Sequence, residues 1–431
     1  MKELLALAIP AALSVVLNNA YRVIDQFSVQ WLGTAAQAAV SSFTFVLILC
    51  FAFYGVVAIG VGPLIARATG ADDISQRRRL VGTSLTSATL LGVIVWLSAG
   101  VFAEQLTWAV GLTGEAASEA TTYMRWLALC GLSLSVAPVV DSAFISMGKT
   151  VTPMLLQLVA TLGNGLFNWL FIYELEQGIA GAAMATGLSR LLSVVIGLVL
   201  LHRHVKFTWS DLIPNLSPLI RILRVGIPIA ANTGAYALVY WGVLKLAISP
   251  LGPEVNAGLG IGFSALEGFT WPCFHGISLA VASVIGRRLG ANDREGAMQA
   301  AKLGLPMTSA AGFAAAVIFW FGGEALCSLY TEDPAVLREA ITYAHVLAFS
   351  QIFVAYEALA EGILEGSGDT NSVLYWSLPF NIMRIPLCWF LAGPMGFGAA
   401  GVWWAINCST FIKALGKGYA VFTGRWLYLK I

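Results

Sequence analysis

The sequence predicts an all-α integral membrane protein with twelve transmembrane helices, in two parallel six-helix repeats around a central cavity. Three observations support this fold class. Of the 431 residues, 58% are hydrophobic and only 11% are charged, and the mean hydropathy is +0.79. The apolar residues form stretches of membrane-spanning length, and landmarks of the first half recur in the second. A soluble domain carries about a quarter charged residues, so a water-soluble fold could not bury this much apolar surface.

A membrane-spanning helix needs about 20 mostly apolar residues. The first apolar stretch is too long for a signal peptide and contains Asp25, so we expect a retained first helix. Apolar stretches between charged residues and Pro/Gly breaks predict twelve helices, at residues 4–32, 38–66, 80–103, 118–146, 153–174, 179–201, 219–250, 256–286, 301–324, 337–364, 371–393 and 398–423.

The charges of the connecting loops alternate in sign. If the N-terminus is cytoplasmic, the odd loops carry mainly acids, with Arg338 as the main exception. This positive-inside pattern predicts that both termini are cytoplasmic. We expect the protein to be a multi-pass protein of a cell membrane, namely a bacterial inner membrane. The basic residues of the even loops and the C-terminal end are Arg67, Arg77, Arg78, Arg79, Lys149, Arg203, Lys206, Arg221, Arg224, Arg287, Arg288, Arg294, Lys302, Lys417, Arg425 and Lys430.

An internal repeat divides the chain. The longest polar stretch, His202 to Pro218 with Pro214 inside it, predicts an N-terminal lobe at 1–206, a cytoplasmic linker at 207–218 and a C-terminal lobe at 219–431. Six spans in each repeat give both lobes the same orientation, which predicts a substrate cavity between them. Five landmark pairs lie 218 to 220 residues apart: Pro10 and Pro228, Gly33 and Gly252, Gly70 and Gly290, Gly148 and Gly368, and Gly178 and Gly398.

Several segments carry a family resemblance when they are taken in order. They are AIPAALSVVLNNAYRVIDQFSVQWLG in the first helix, ARATGADD and GRRLGAND after helices two and eight, ISMGKTVTP before helix five, EGILEGSGDT before helix eleven and GAAGVWWA in helix twelve. Over essentially its whole length the sequence resembles the multidrug and toxic compound extrusion (MATE) family. The resemblance implies a two-lobe exporter of bulky, often cationic compounds, driven by the entry of sodium ions or protons.

The sequence departs from the family pattern at three positions. Many members carry an Asn-x-x-x-Asp pair in helix five, where this chain has Asn164 and Asn168. Tyr236 stands where the NorM-like branch has a glutamate, and Val354 stands about where that branch has an aspartate. The pattern is therefore nearer the DinF-like branch, and the coupling ion, a proton or sodium, is left open.

Asp25 is the strongest candidate for ion coupling. An ionised side chain in the bilayer core costs about 2.5–3.5 kcal/mol, so such residues are usually turned inward and functional. Asp25 matches the first-helix aspartate of the family, and we expect it to bind a proton, or a cation together with Asn164 and Asn168. The alternative is a structural pair with Arg22, three residues earlier.

The resemblance also suggests that Pro10 makes the first helix bendable in response to Asp25. Proline removes a backbone hydrogen bond and permits a kink, so a static kink is the alternative. Pro228 is its counterpart in the second half.

Charged and aromatic residues of the second half suggest a substrate cavity or second charge site formed by Glu267, Trp271, Tyr236, Glu357 and Arg384. Glu267, Trp271 and His275 are spaced four apart on one predicted helix face, where an acid and an aromatic ring could hold a cationic drug. His275 alone would more often be a packing residue.

Glu357 and Glu361 also share a helix face, and we expect Glu357 to pair with Arg384, with a second proton site as the alternative. Asp141 lies 220 residues before Glu361, and we expect it to make gate or loop contacts. Lys245 is close enough to the outer end of helix seven that its amine is expected to reach the membrane surface.

The predicted function is secondary active efflux of small organic molecules, with no cofactor beyond H⁺ or Na⁺, no nucleic acid partner and a monomeric chain in the lipid bilayer. The sequence contains neither a GxxxxGK[ST] nor an HExxH motif, so nothing in it indicates an enzyme. The six cysteines are scattered and form no CxxC pair, so no metal site is expected. One alternative is a flippase of lipid-linked sugars, although the mainly acidic intramembrane charges favour cationic cargo. The other alternative is a membrane scaffold or sensor.

Overall fold

The computed structural model describes residues 1–213 and 215–431, and the side chains of these except residues 42–45. Pro214, part of the predicted linker, lies outside the described residues. The described part is helical and contains no strand, so the all-α prediction is confirmed. Its α-helices are α1 Lys2–Val29, α2 Thr34–Gly70, α3 Ile74–Val101, α4 Ala103–Ala109, α5 Gly114–Cys130, α6 Leu132–Ser146, α7 Val151–Asn168, α8 Gly178–Val205, α9 Trp209–Leu212, α10 Leu216–Val243, α11 Pro253–Gly262, α12 Gly268–Gly290, α13 Arg294–Cys327, α14 Pro334–Ala348, α15 Gln351–Ser367, α16 Thr370–Ala392 and α17 Gly398–Phe422.

Helices are the form that these apolar stretches must take, because each backbone N–H and C=O in lipid has to be bonded within its own segment. Among the described residues, eight helical segments are long and apolar enough to cross a membrane. Two bent helix pairs, α5 with α6 and α14 with α15, raise the number to ten if each pair is one span. α16 and α17 lie at the last two predicted spans but are more polar, so the count of twelve and the cytoplasmic termini stay predictions.

The two bent pairs lie at equivalent places in the two halves. The axis turns by 55° between α5 and α6, at Gly131, and by 58° between α14 and α15, after Ala348. At Gly131 a Cβ atom would come within 2.6 Å of Trp96, so glycine allows the bent segment to pack against that ring. The predicted spans 118–146 and 337–364 therefore exist as broken helices.

The turns of the two halves repeat the same backbone conformations. Asp73 and Asp293 cap α3 and α13 by accepting a hydrogen bond from the backbone N–H three residues later, at 2.8 Å in both cases. The residues before these caps, Asp72 and Asn292, have φ of +52° and +57°. Three glycine pairs also share positive φ angles: Gly33 and Gly252, Gly148 and Gly368, and Gly178 and Gly398. Landmarks of the predicted repeat thus coincide with matched turns.

The chain forms two compact units by its contacts. We call Leu13–Ala230 the N-terminal unit, and Met1–Ala12 together with Ala231–Ile431 the C-terminal unit. The units differ from the predicted lobes at two short segments, 1–12 and 219–230, because each segment packs in the unit of the other half. α1 and α10 run unbroken through Pro10 and Pro228.

Each unit has its own apolar core. In the N-terminal unit the core centres on Trp96, Tyr123 and Leu127, and in the C-terminal unit on Phe319, Tyr343 and Trp403. Met1–Ala12 joins the C-terminal unit through direct contacts. Glu3 pairs with Arg287 at 3.3 Å, and a Cβ atom on Gly276 would lie 2.7 Å from Ala12.

α2 and α10 touch backbone to backbone inside the N-terminal unit. A Cβ atom on Gly60 would lie 2.0 Å from the carbonyl oxygen of Ile222, and one on Gly226 would lie 2.0 Å from that of Val56. Small residues permit such close approach of helices in a membrane. These two glycines therefore fix the position of the first half of α10 against α2.

We expect Gly60→Ala to lower the free energy of unfolding by about 1–3 kcal/mol, because both backbones must move to admit the methyl group. The apparent melting temperature of the detergent-purified protein would measure the loss. Gly418→Ala in α17 is the control: its Cβ would meet nothing within 4 Å, so a helix-favouring alanine should leave the melting temperature unchanged or raise it. Equal melting temperatures of the two variants would contradict this packing.

Candidate functional site

Asp25 is held by three hydrogen-bond donors inside the N-terminal unit. Its Oδ1 accepts from Asn164 Nδ2 at 2.8 Å and from Asn168 Nδ2 at 2.9 Å, both on α7. Its Oδ2 accepts from Thr186 Oγ1 on α8 at 3.3 Å. The structure thus brings together the predicted trio of Asp25, Asn164 and Asn168, and it adds Thr186, which sequence reasoning missed.

The cage around Asp25 consists of uncharged groups. Asn164 and Asn168 are fully buried, and Asn168 Nδ2 also donates to Asn164 Oδ1 at 3.2 Å. Asn168 Oδ1 is buried and has no hydrogen-bond donor among the described residues. Beside the carboxylate there is therefore a spare acceptor, which suits either the proton of a neutral Asp25 or a cation that prefers oxygen ligands.

The alternative pair of Asp25 with Arg22 is wrong, because Arg22 forms no ion pair or hydrogen bond with Asp25 in the described part of the chain. The cationic side chain whose charge acts on Asp25 is Arg190 on α8. Its guanidinium donates to Gln157 Oε1 and Asn18 Oδ1, both at 2.7 Å, and lies 4.4 Å from the centre of the Tyr21 ring. Arg190 is thus held by neutral groups beside the candidate site.

Irregular helical turns lie next to two candidate residues. A π-helical turn, Trp169–Glu174, follows directly after Asn168, and another, Phe263–Glu267, ends at Glu267. π-helical turns are rare and are frequent at functional sites. No feature of the sequence indicated them, because a π turn adds one residue to a helix without changing its apolar character.

Three of the five residues predicted for the second site line one small cavity within the C-terminal unit. Tyr236, Glu267 and Arg384 surround a space of about 50 Å³ together with the aromatic residues Tyr240 and Tyr343. Tyr343 donates to Glu267 Oε1 at 2.6 Å. Sites for drug-sized molecules occupy roughly 300–1,000 Å³, so this cavity admits water or a small ion in this conformation and no bulky substrate.

Trp271 and Glu357 do not line this cavity. Trp271 stacks on His275 with ring centres 4.7 Å apart, as their spacing of four predicts, and Trp271 is exposed. Glu267 bonds instead across to α14, through Tyr343. The predicted combination of Glu267 with Trp271 on one ligand is therefore not formed here.

The predicted pair of Arg384 and Glu357 is wrong. Arg384 donates to the hydroxyl oxygens of Ser409 at 2.6 Å and Thr410 at 3.1 Å, both on α17. Glu357 instead pairs with Lys413 at 2.9 Å and Lys417 at 2.7 Å, also on α17. The physical reason is that Glu357 on α15 faces α17, which carries both lysines, whereas Arg384 lies on α16.

Lys417 is completely buried and also pairs with Glu361. The placement of Lys417 among the charges of the C-terminal end is therefore wrong, because its side chain is buried and paired with Glu357 and Glu361. A signal for this network was present in the sequence. Lys413 and Lys417 are four apart, as are Glu357 and Glu361, so each pair shares one helix face.

Two further predicted residues lie apart from both sites. Asp141 on α6 is half-buried and forms no ion pair or hydrogen bond with the described residues, so its gate role stays a prediction. Lys245 is exposed and lies 5.0 Å from the ring centre of Trp241, as expected of a lysine near a membrane interface.

The chain is similar to known proteins along nearly its whole length. The MatE family model matches residues 10–170 and 230–390, two ranges displaced by 220 residues, in agreement with the predicted repeat. A probable multidrug resistance protein NorM of Thermotoga maritima is 24% identical over 435 residues, covering 99% of this chain and 93% of that protein. A multidrug export protein MepA of Staphylococcus saprophyticus is 22% identical, covering 96% and 92%.

Solved structures share the fold. The outward-facing conformation of a multidrug resistance MATE family transporter of the MOP superfamily has a TM-score of 0.92 at 22% identity, covering 100% of this chain and 97% of that one. A MOP superfamily transporter from Pyrococcus furiosus, described as having a binding pocket of reverse polarity, has a TM-score of 0.90 at 21% identity with the same coverage. At these identities the likeness shows the fold alone.

We expect Lys417→Met to lower the free energy of unfolding by about 3–5 kcal/mol, because it leaves buried carboxylate charge without its partner. The double variant Lys417→Met, Glu361→Gln removes one charge of each sign and should regain part of the loss. Melting temperatures in detergent would measure both effects, with the exposed Lys430→Met as control. A double variant that is less stable than the single variant would contradict the pairing.

Proposed function

The chain belongs to the MatE family, and from this premise we propose that it is a secondary active exporter of small organic molecules in exchange for protons or sodium ions. It is a transporter in a membrane that it crosses several times, and not an enzyme. The relatives of similar length are named for multidrug resistance and export, which supports a drug-like cargo. Which ion drives transport, and which branch of the family the chain joins, remain part of the proposal.

The observation that carries the proposal is the neutral cage around Asp25. With the carboxylate ionised, the three donors of Asn164, Asn168 and Thr186 satisfy it. Binding of a proton removes the negative charge to which these donors are bonded. It also gives Asp25 an O–H group, from which the spare Asn168 Oδ1 can accept a hydrogen bond. Binding of a sodium ion would instead require the amides to rotate their oxygens inward. Either event changes the hydrogen bonds that tie α1 to α7 and α8.

Transport in this proposal follows the ion gradient. An ion enters, neutralises Asp25 and is released to the cytoplasm, and the altered contacts of α1 accompany the outward release of substrate. A ligand shifts a conformational equilibrium only by its difference in affinity for the two states. In this conformation the three donors stabilise the charged carboxylate, so we infer that a proton binds more tightly in a conformation in which the cage has opened.

The cargo is proposed to be bulky and amphipathic or cationic. The sequence argument for cations rested on intramembrane charges that are mainly acidic, but two of these acids, Glu357 and Glu361, are ion-paired with lysines. Glu267, with Tyr236, Tyr240 and Tyr343 around it, is an acid of the C-terminal unit that suits a cation, and it shares its cavity with Arg384.

A second candidate function is the flipping of an anionic lipid-linked molecule. It is favoured by Arg190 and Arg384, whose hydrogen-bond partners among the described residues are amides and hydroxyls rather than carboxylates. A guanidinium held in place by neutral groups can still bind a phosphate. Transport of an organic cation and transport of a lipid phosphate distinguish the two functions.

We expect Asp25→Asn to abolish efflux driven by an ion gradient, down to the background of protein-free vesicles. Asparagine keeps the shape of the side chain and one acceptor oxygen, but it replaces the other oxygen by an NH2 donor and cannot carry the charge. The measurement is the efflux of ethidium from proteoliposomes, with proton and sodium gradients imposed separately. The gradient that drives the wild-type protein identifies the ion.

Asp72→Asn is the matched control, because it removes the same charge from an exposed turn where the positive φ suits asparagine. It should transport like the wild type. Ethidium counterflow without a gradient separates coupling from folding: Asp25→Asn should retain it. Undiminished gradient-driven efflux by Asp25→Asn would rule out this site as the coupling site.

A further inference from the structure

A cluster of basic residues lies where three candidate membrane spans end in the N-terminal unit. α2 ends at Gly70, α3 begins at Ile74 and α10 begins at Leu216. Direct bonds hold the linker against α3: Arg78 pairs with Asp211 at 3.3 Å, and Thr86 Oγ1 donates to the Leu212 carbonyl at 2.6 Å. The ends of these spans and the linker residues Asp211 and Leu212 thus lie together at one end of the candidate spans.

This surface carries an excess of positive charge. Residues 67–79 and 211–224 contain six arginines and three aspartates. Two of the aspartates are occupied, since Asp73 caps α3 and Asp211 pairs with Arg78. Burial alone would raise the pKa of Asp211, but bonds from Thr208 and from Arg78 hold it below its ordinary value, so Asp211 stays ionised and engaged.

A shallow groove, widely open to the outside, lies along the start of α10 beside this charge. Arg221 and Arg224 lie one turn apart on its wall. With the Gln76 amide assigned in the orientation that satisfies its neighbours, its oxygen accepts from both Nη1 and Nη2 of Arg221, at 2.8 Å and 3.1 Å. The residues that line the groove are Asn215, Leu216, Ser217, Ile220, Arg221 and Arg224.

Apolar side chains continue the groove outward. Leu216 and Ile220 on its wall are exposed, as are Trp209 and Ile213 in the linker, with Trp209 exposed by 86%. In a water-facing loop these four side chains would be unfavourable. At a membrane surface they suit the zone between headgroups and acyl chains, where tryptophan is enriched.

We propose that this groove binds the phosphate headgroup of an anionic phospholipid from the surrounding membrane. Arg221 and Arg224 would hold the phosphate oxygens through their planar guanidinium groups, and Leu216 and Ile220 would contact the start of the acyl chains. Basic pockets between spans on the cytoplasmic side are suited to such headgroups, and the positive-inside pattern places this end there. The inference is independent of the coupling role of Asp25.

The test measures lipid retained by the full-length protein in native mass spectrometry, after exposure to equal amounts of phosphatidylglycerol and phosphatidylcholine. The wild type should retain phosphatidylglycerol in preference. Arg221→Gln, Arg224→Gln should lower the affinity for phosphatidylglycerol about 30-fold, since each near-surface arginine contributes roughly a factor of five to binding. Arg203→Gln, Lys206→Gln is the control, because it removes two charges of the same sign from the end of α8.

Loss of the preference in the first variant alone, with its melting temperature in phosphatidylcholine unchanged, supports the groove. If instead the wild type has no preference, or the two double variants lose it equally, the proposal is overturned. Inorganic phosphate supplies the last arm. It should not displace phosphatidylglycerol at equal concentration, because the apolar wall contributes to lipid binding, and equal displacement would assign the groove to a free anion.

Discussion

The cost of placing a charge in a low-dielectric interior governs two buried groups of charged residues in this protein, the Lys417 ion pairs and the Asp25 cage. In the C-terminal unit the cost is met by opposite charge: Lys417 lies between Glu357 and Glu361, and Lys413 adds to Glu357. In the N-terminal unit Asp25 has only neutral donors. An ion pair loses much when either partner is neutralised, so it favours one fixed state. A cage of amides and a hydroxyl loses far less when the carboxylate is neutralised, and this makes Asp25 the group better suited to switching.

The duplicated scaffold carries different chemistry in its two halves. Asn164 and Arg384 are 220 residues apart, as are the buried Tyr123 and Tyr343. The position that supplies an amide to Asp25 in the first half thus supplies a guanidinium in the second, where it lines the small cavity with Glu267. Matched turns and bends keep the helices in equivalent places, while single substitutions decide which charge each unit holds. The likeness of fold between the halves therefore says little about the role of the second cavity.

Features that depend on the local sequence pattern could be predicted. Predictions were wrong or missing for features that depend on which faces of neighbouring helices pack together. Apolar length predicted the helices, and the landmark glycines predicted a repeat whose turns the structure shows to be matched. The spacing of four between Asn164 and Asn168 placed both on one face, and the family resemblance linked them to Asp25. The partner of Glu357 depended on whether α15 faces α16 or α17, which no single-helix pattern contains. The π turns and the split of α1 between units arise from packing in the same way.

The amide at Asn168 also limits what the proposed coupling site could hold. A helix-five pair with a carboxylate at this position would place two negative charges beside each other, and binding of one proton would still leave one charge. Here the described partners of Asp25 are neutral, so a single proton or monovalent cation brings the whole cage to neutrality. A neutral cage no longer carries the desolvation cost of a buried ion, which favours rearrangement of the helices around it. One carboxylate surrounded by amides therefore suits an exchange of one monovalent cation in each transport cycle.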